Sequence, residues 1–140
     1  MAIEKLLHQK TDIVIELENV TVSFPPIAAQ LDEDSSDKTE DVILKNISLQ
    51  IKHGETLGII GPSGGGKSVL LKTMAGLYAP KSGHVYCEGE DWQNLKSEEK
   101  RKLALHIGML FQKNALFDSL SAAENIAFPI QEHMQWSKEK

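Results

Sequence analysis

Cysteine is nearly absent: Cys87 is the only one in 140 residues. An intrachain disulfide and a cysteine-cluster metal site are thereby excluded, and the usage predicts a reducing, cytosolic compartment. No apolar run approaches the roughly 20 residues that span a bilayer, so no transmembrane helix is expected. Residues 1–8 include an acid, Glu4, and soon turn polar, unlike a secretory signal. Ten glycines and five prolines without a repeat exclude collagen and low-complexity chains. The five histidines are scattered without metal-ligand spacing. A basic excess is missing too, since the formal net charge is −5. The segment 32–41 carries six acids and one lysine, and without it 14 acids stand against 14 bases. The body of the chain is therefore neutral and has no field for gripping nucleic acid. The acidic segment reads as a solvated loop, with a cation site as the lesser alternative.

The length suits one domain. After a weakly helical or frayed lead over residues 1–10, residues 13–24 are rich in β-branched side chains and predict a strand ended by Pro25-Pro26. A second strand is expected over 42–52. Strict alternation there puts Leu44, Asn46, Ser48 and Gln50 on one face, with Ile43, Lys45, Ile47, Leu49 and Ile51 on the opposite, mainly apolar one. The apolar runs 55–60 and 107–111 read as buried strands, and 82–88 as another, ended by Gly89. Helices are expected from Lys67 to a stop at Gly76, from a Ser97 cap, and from a Ser121–Glu124 capping box with Pro129 bending or ending the helix. Ser137 reads as the cap of one more.

Between the run 55–60 and the first helix stands Gly61-Pro62-Ser63-Gly64-Gly65-Gly66-Lys67-Ser68, which fits G-x-x-x-x-G-K-[ST] at every defined position. Glycines let the backbone wrap a phosphate with its N–H groups inward, and the helix directs its N-terminus at the same anion. Lys67 supplies a charge that bridges the outer phosphates, and the Ser68 hydroxyl suits Mg²⁺. Four fixed positions recur by chance in a chain this long on the order of half a percent of the time. The motif predicts nucleoside triphosphate binding, yet does not by itself separate transport ATPases from GTPases or small kinases.

The flanks are more specific. Residues 42–49 leading into Gly54-Glu55, then Gly76-Leu77-Tyr78-Ala79-Pro80-Lys81-Ser82-Gly83 with Gly89, closely resemble the nucleotide-binding subunits of ABC transporters, and Ile107-Gly108-Met109-Leu110-Phe111-Gln112 resembles their Q-loop. The resemblance runs from about Ile13 to Glu132. It implies an α/β P-loop NTPase of ABC ATPase type, with an antiparallel β layer over 12–60, interrupted by the acidic insertion 25–41, and the start of a parallel-sheet core with the Q-loop region over 57–140. Within the family, residues 109–112, 115–120 and 124–129 are most similar to ATPases of Mla-type (MCE-associated) lipid transporters.

The resemblance implies Mg-ATP as ligand, with Gln112 joining Ser68 on Mg²⁺ and sensing the γ-phosphate. It places Phe24 as the aromatic that stacks on adenine, although the family makes a short turn where this chain inserts 25–41, and a strand-end core phenylalanine remains the other reading. It makes Ala115 to Phe128 the groove for a membrane permease, lined by Leu116, Phe117, Ile126 and Phe128; a simple core helix with a capped start is compatible with this. It further implies a second ATP-binding subunit and a place on the cytoplasmic face of the inner membrane.

The chain departs from the family in lacking a signature motif, a Walker B carboxylate, the catalytic Glu and the switch His. These 140 residues are thus expected to be the N-terminal part of a larger ATPase, inert in hydrolysis alone. A nucleotide-responsive interaction module without turnover, and a GTPase or kinase of the same loop class, are the alternatives.

Overall fold

The computed structural model describes residues 12–25, 40–111 and 116–134. The lead 1–10, most of the acidic insertion, Gln112, Ala115 and Ser137 lie outside them. The chain divides into two units, one ending at Ile107 and one beginning at Gly108.

The first unit is a four-stranded antiparallel sheet of order β2-β1-β3-β4, with β1 at Ile13–Phe24, β2 at Asp41–Lys52, β3 at Ser82–Cys87 and β4 at Glu90–Asp91. β1 is paired on both edges, and its Leu17, Val20 and Val22 are fully buried. With Leu44, Val85, Cys87, Trp92, Met74 and Leu103 they form the core.

Strict alternation fails in both long strands, for one reason. The register steps from Val22↔Leu44 to Val20↔Ile47, adding a residue on β2, and then to Leu17↔Leu49, adding one on β1. Asn46 and Asn19 occupy these two bulges with φ of 53° and 51°, a left-handed conformation that asparagine tolerates better than most residues. Each displaced amide is met by a hydroxyl of the opposite strand: Asn46 N–H donates to Thr21 Oγ1 (3.1 Å) and Asn19 N–H to Ser48 Oγ (2.9 Å). A one-residue slip turns side chains to the other face. Leu44 is therefore buried while Ile43 is exposed, reversing the faces expected there, and Ile47, Leu49 and Ile51 stay half-buried as expected. Thr21→Val keeps the shape and removes the hydroxyl that accepts from Asn46. It is expected to cost about 1 kcal/mol, read as a lower urea midpoint at unchanged slope.

Helix α1, Lys67–Met74, lays Thr73 and Met74 on the sheet. It stops where predicted, because Gly76 takes φ 73° and the N–H groups of Gly76 and Leu77 close onto Thr73 O (3.0 Å) and Lys72 O (2.9 Å). Helix α2, Ser97–Ala104, corrects its expected cap: Ser97 is already helical, and the Glu99 carboxylate accepts the Lys96 N–H at 2.8 Å. β3 turns into β4 through Glu88 (φ 52°) and Gly89 (φ 84°), a tight hairpin whose two-residue return strand is too short to alternate.

Two expected strands are not formed. Segments 55–60 and 107–111 have no regular structure and no ladder partner among the described residues, and Ile60 is 95% and Leu110 88% exposed. An apolar run becomes a strand only when a neighbour accepts its hydrogen bonds: Ile59 and Ile107 pack against the core, but no described element pairs with either run.

The second unit holds α3, Ala122–Met134, which begins at the predicted box: Ser121 N–H donates to Glu124 Oε2 (2.8 Å) and Glu124 N–H to Ser121 Oγ (3.3 Å). Pro129 does not end it.

Candidate functional site

The candidate phosphate loop, Gly61 to Gly66, delivers the chain into α1. Gly66 is the helix N-cap at φ 80°, buried on β2: a Cβ there would meet Leu44 Cδ2 at 3.0 Å and both Ile43 Cγ2 and Ile43 O at 3.2 Å. Only glycine satisfies both the dihedral and the contact. The reversed face of β2 thus serves the site, because Leu44 forms part of the seat of the loop. Gly64 also takes a positive φ, 77°, with open space around it.

Inside the loop, Gly65 N–H donates to Pro62 O (3.2 Å), and the helix ladder starts with Leu70 N–H to Gly66 O (2.8 Å). The N–H groups of Gly64, Gly66, Lys67 and Ser68 have no backbone acceptor among the described residues. No side chain caps α1 and no acid stands in its first turn, so the positive end of its dipole is uncompensated. Lys67 folds back over the loop, its Nζ donating to Gly61 O (2.9 Å) and Pro62 O (2.6 Å). An ammonium, amides without a backbone acceptor and an uncapped helix N-terminus thus belong to one short segment, a combination that suits an anion. Ser68 is exposed in the first turn, a hard oxygen donor of the kind Mg²⁺ prefers.

The other candidates are distributed. Phe24 closes β1 opposite Asp41, half-buried, its ring meeting Tyr78 edge-on with centroids 5.2 Å apart. Tyr78 follows the C-terminal end of α1, whereas the phosphate loop stands at the N-terminal end. Beside Phe24, Glu40 accepts from Ser23 Oγ and from Lys81 Nζ (2.5 Å). These bonds, that from Lys81 foremost, hold its carboxyl below the usual range and pin one end of the insertion. Cys87 is no nucleophile: burial, and then the charge of Glu88, push its thiol up to about 11. In the second unit, Leu116, Phe117, Ile126 and Phe128 are exposed, the two phenylalanines in ring contact at 4.7 Å. Sequence reasoning missed Asn125, whose side chain ties this segment together; an amide in the first turn of a helix that already has its cap was the available signal.

Among the described residues no helix is long and apolar enough to cross a membrane. The ABC transporter family model matches residues 44–140. The chain is 43% identical over 99% of its length to the chloroplastic protein TRIGALACTOSYLDIACYLGLYCEROL 3 of Arabidopsis thaliana, spanning 36% of that protein. It is 44% identical over 66% of its length to the intermembrane phospholipid transport system ATP-binding protein MlaF of Haemophilus influenzae, spanning 35% of it. The dimeric ATP-binding cassette MJ0796, solved in a post-hydrolysis state with ADP and Pi, aligns with a TM-score of 0.72 and 31% identity over 88% of this chain and 49% of that one. The chain therefore spans about a third of the curated relatives and half of the solved cassette. The antiparallel sheet, the glycine loop entering α1 and these matches agree: the chain belongs to the ABC transporter family, with the fold of its ATP-binding cassettes.

Proposed function

We propose that these residues form the N-terminal part of an ATP-binding subunit that powers membrane transport. The triphosphate lies along Gly61, Pro62, Ser63, Gly64, Gly65 and Gly66 with Lys67 at its outer phosphates. The observation that carries this is the uncapped, acid-free start of α1, with free amides and the Lys67 ammonium turned onto the loop. Ser68 and Gln112 are the residues that would hold Mg²⁺, which would neutralise phosphate charge. The family resemblance supports Phe24 as the adenine stack, while its edge contact with Tyr78 and its packing against the core favour the other reading, a strand-end core phenylalanine. Hydrolysis requires groups from outside these residues and a second ATP-binding subunit, so the isolated 140 residues bind ATP without turning it over.

The permease docks on Leu116, Phe117, Ile126 and Phe128, which places the subunit on the cytoplasmic face of the inner membrane. Phospholipid is the proposed cargo, supported by the similarity to MlaF, whose name states intermembrane phospholipid transport. The test is a competition titration of the intact parent protein with magnesium and labelled ATP. Unlabelled ATP is expected to displace the label at lower concentration than GTP. Guanine preference would reassign the chain to another nucleotide, and no binding of either would remove the function.

A further inference from the structure

The geometry points to Asn125 as a positioning residue that holds the docking edge of the second unit in the shape its permease partner meets; this rests on the docking reading above. Its side chain works on both sides of Phe117. The Phe117 N–H donates to Asn125 Oδ1 (2.9 Å), and Asn125 Nδ2 donates to Phe117 O (3.1 Å), Leu120 O (3.1 Å) and Ser121 O (3.0 Å). An amide has two N–H groups for three carbonyls, so the donors are shared and the set closes only with the loop 117–121 wrapped around this residue.

α3 does not need it. Ser121 and Glu124 already cap the helix, and asparagine is a poor helix former. Among the described residues of this unit none is buried, and the described hydrogen bonds that tie Phe117 and Leu120 to α3 are those of Asn125. What Asn125 fixes is presentation. With the Phe117 backbone clamped at N–H and C=O, its ring reaches Phe128, and Leu116, its neighbour in the chain, is 65% exposed. Ile126, next to the clamp in sequence, is 74% exposed. An edge already ordered before contact loses less entropy when a partner helix seats on it.

The experiment titrates the intact ATP-binding subunit with the detergent-solubilised permease of the same transporter, and separately with Mg-ATP. Asn125→Ala is expected to weaken permease binding by about tenfold, about 1.4 kcal/mol, while the Kd for Mg-ATP does not move. Asn125→Asp keeps the acceptor for Phe117 N–H and loses the donors, and is expected to fall between. Amide exchange at Phe117 is expected to quicken in Asn125→Ala while α3 beyond Phe128 stays protected. Permease binding unchanged in Asn125→Ala overturns the assignment, as does an equal loss of both affinities or exchange throughout α3, either of which marks a residue that merely supports the fold. The double variant Leu116→Ala/Phe117→Ala separates the two readings. If it loses permease binding while Asn125→Ala does not, docking stands and positioning falls; if it binds normally, docking itself is wrong and positioning falls with it.

Discussion

Lys67→Ala is expected to weaken binding of Mg-ATP to the intact protein by about 30-fold to 1,000-fold, a loss of roughly 2–4 kcal/mol. A unit charge about 4 Å from a phosphate oxygen gains about 4 kcal/mol at the effective dielectric of a protein surface. Against this stands what the ammonium gives up, since it already donates to Gly61 O and Pro62 O. Carbonyl partners are neutral, so a phosphate wins the exchange, but the gain is the difference and not the whole. Lys67→Arg tests this balance. It keeps the charge, yet its planar fork is larger than a seat shaped for a compact ammonium, and it is expected to recover only part of the affinity. Calorimetry gives the affinities, and thermal melting separates them from folding: the ammonium meets only loop carbonyls, so the melting temperature is expected to move little. An affinity equal to that of the unaltered protein would mean that Lys67 does not face the triphosphate, and the phosphate-loop reading would fail with it.

How much of this was legible beforehand divides along physical lines. Two local signals hold in the structure, the stop at Gly76 and the Ser121–Glu124 box, each set by a few consecutive residues, whereas the cap expected at Ser97 falls one residue earlier, at Lys96. The fold class and the family rest on the resemblance of residues 42–55, 76–89 and 107–112 to ABC nucleotide-binding subunits, and the match over residues 44–140 agrees. Non-local features were not legible. The bulges at Asn19 and Asn46 arise from pairing between strands, and only then does Leu44 rather than Ile43 turn inward. The runs 55–60 and 107–111 have strand composition, but a strand is a property of a pair, and the described residues contain no second member. The clamp of Asn125 on Phe117 bridges eight residues and has no periodic signature.

The second large effect is on stability, and it falls on a residue with no chemistry of its own. Gly83→Ala is expected to cost about 4 kcal/mol, enough to leave a marginally stable domain unfolded. Two penalties combine. Gly83 sits at φ 85°, where a side chain costs about 1–2 kcal/mol. Its Cβ would also lie 2.4 Å from both Glu18 O and Asn19 O, backbone atoms of the β1 bulge that cannot rotate aside; forced overpacking of this kind adds about 1–3 kcal/mol. Gly54 isolates the first penalty, because it has φ 75° and nothing within 4 Å of an added Cβ. Gly54→Ala is therefore expected to cost only about 1 kcal/mol. Urea midpoints of the two variants measure the difference, and equal values would show that β3 does not press on the bulge. The contact reaches the site through a short chain of causes. Gly83 lets β3 close onto the bulge at Asn19, whose companion at Asn46 sets which face of β2 turns inward. That face places Leu44 under Gly66. A methyl group at position 83 would thus strain the same strand pair that seats the phosphate loop, and any Gly83→Ala protein that remains folded is expected to bind Mg-ATP more weakly although no altered atom touches the nucleotide.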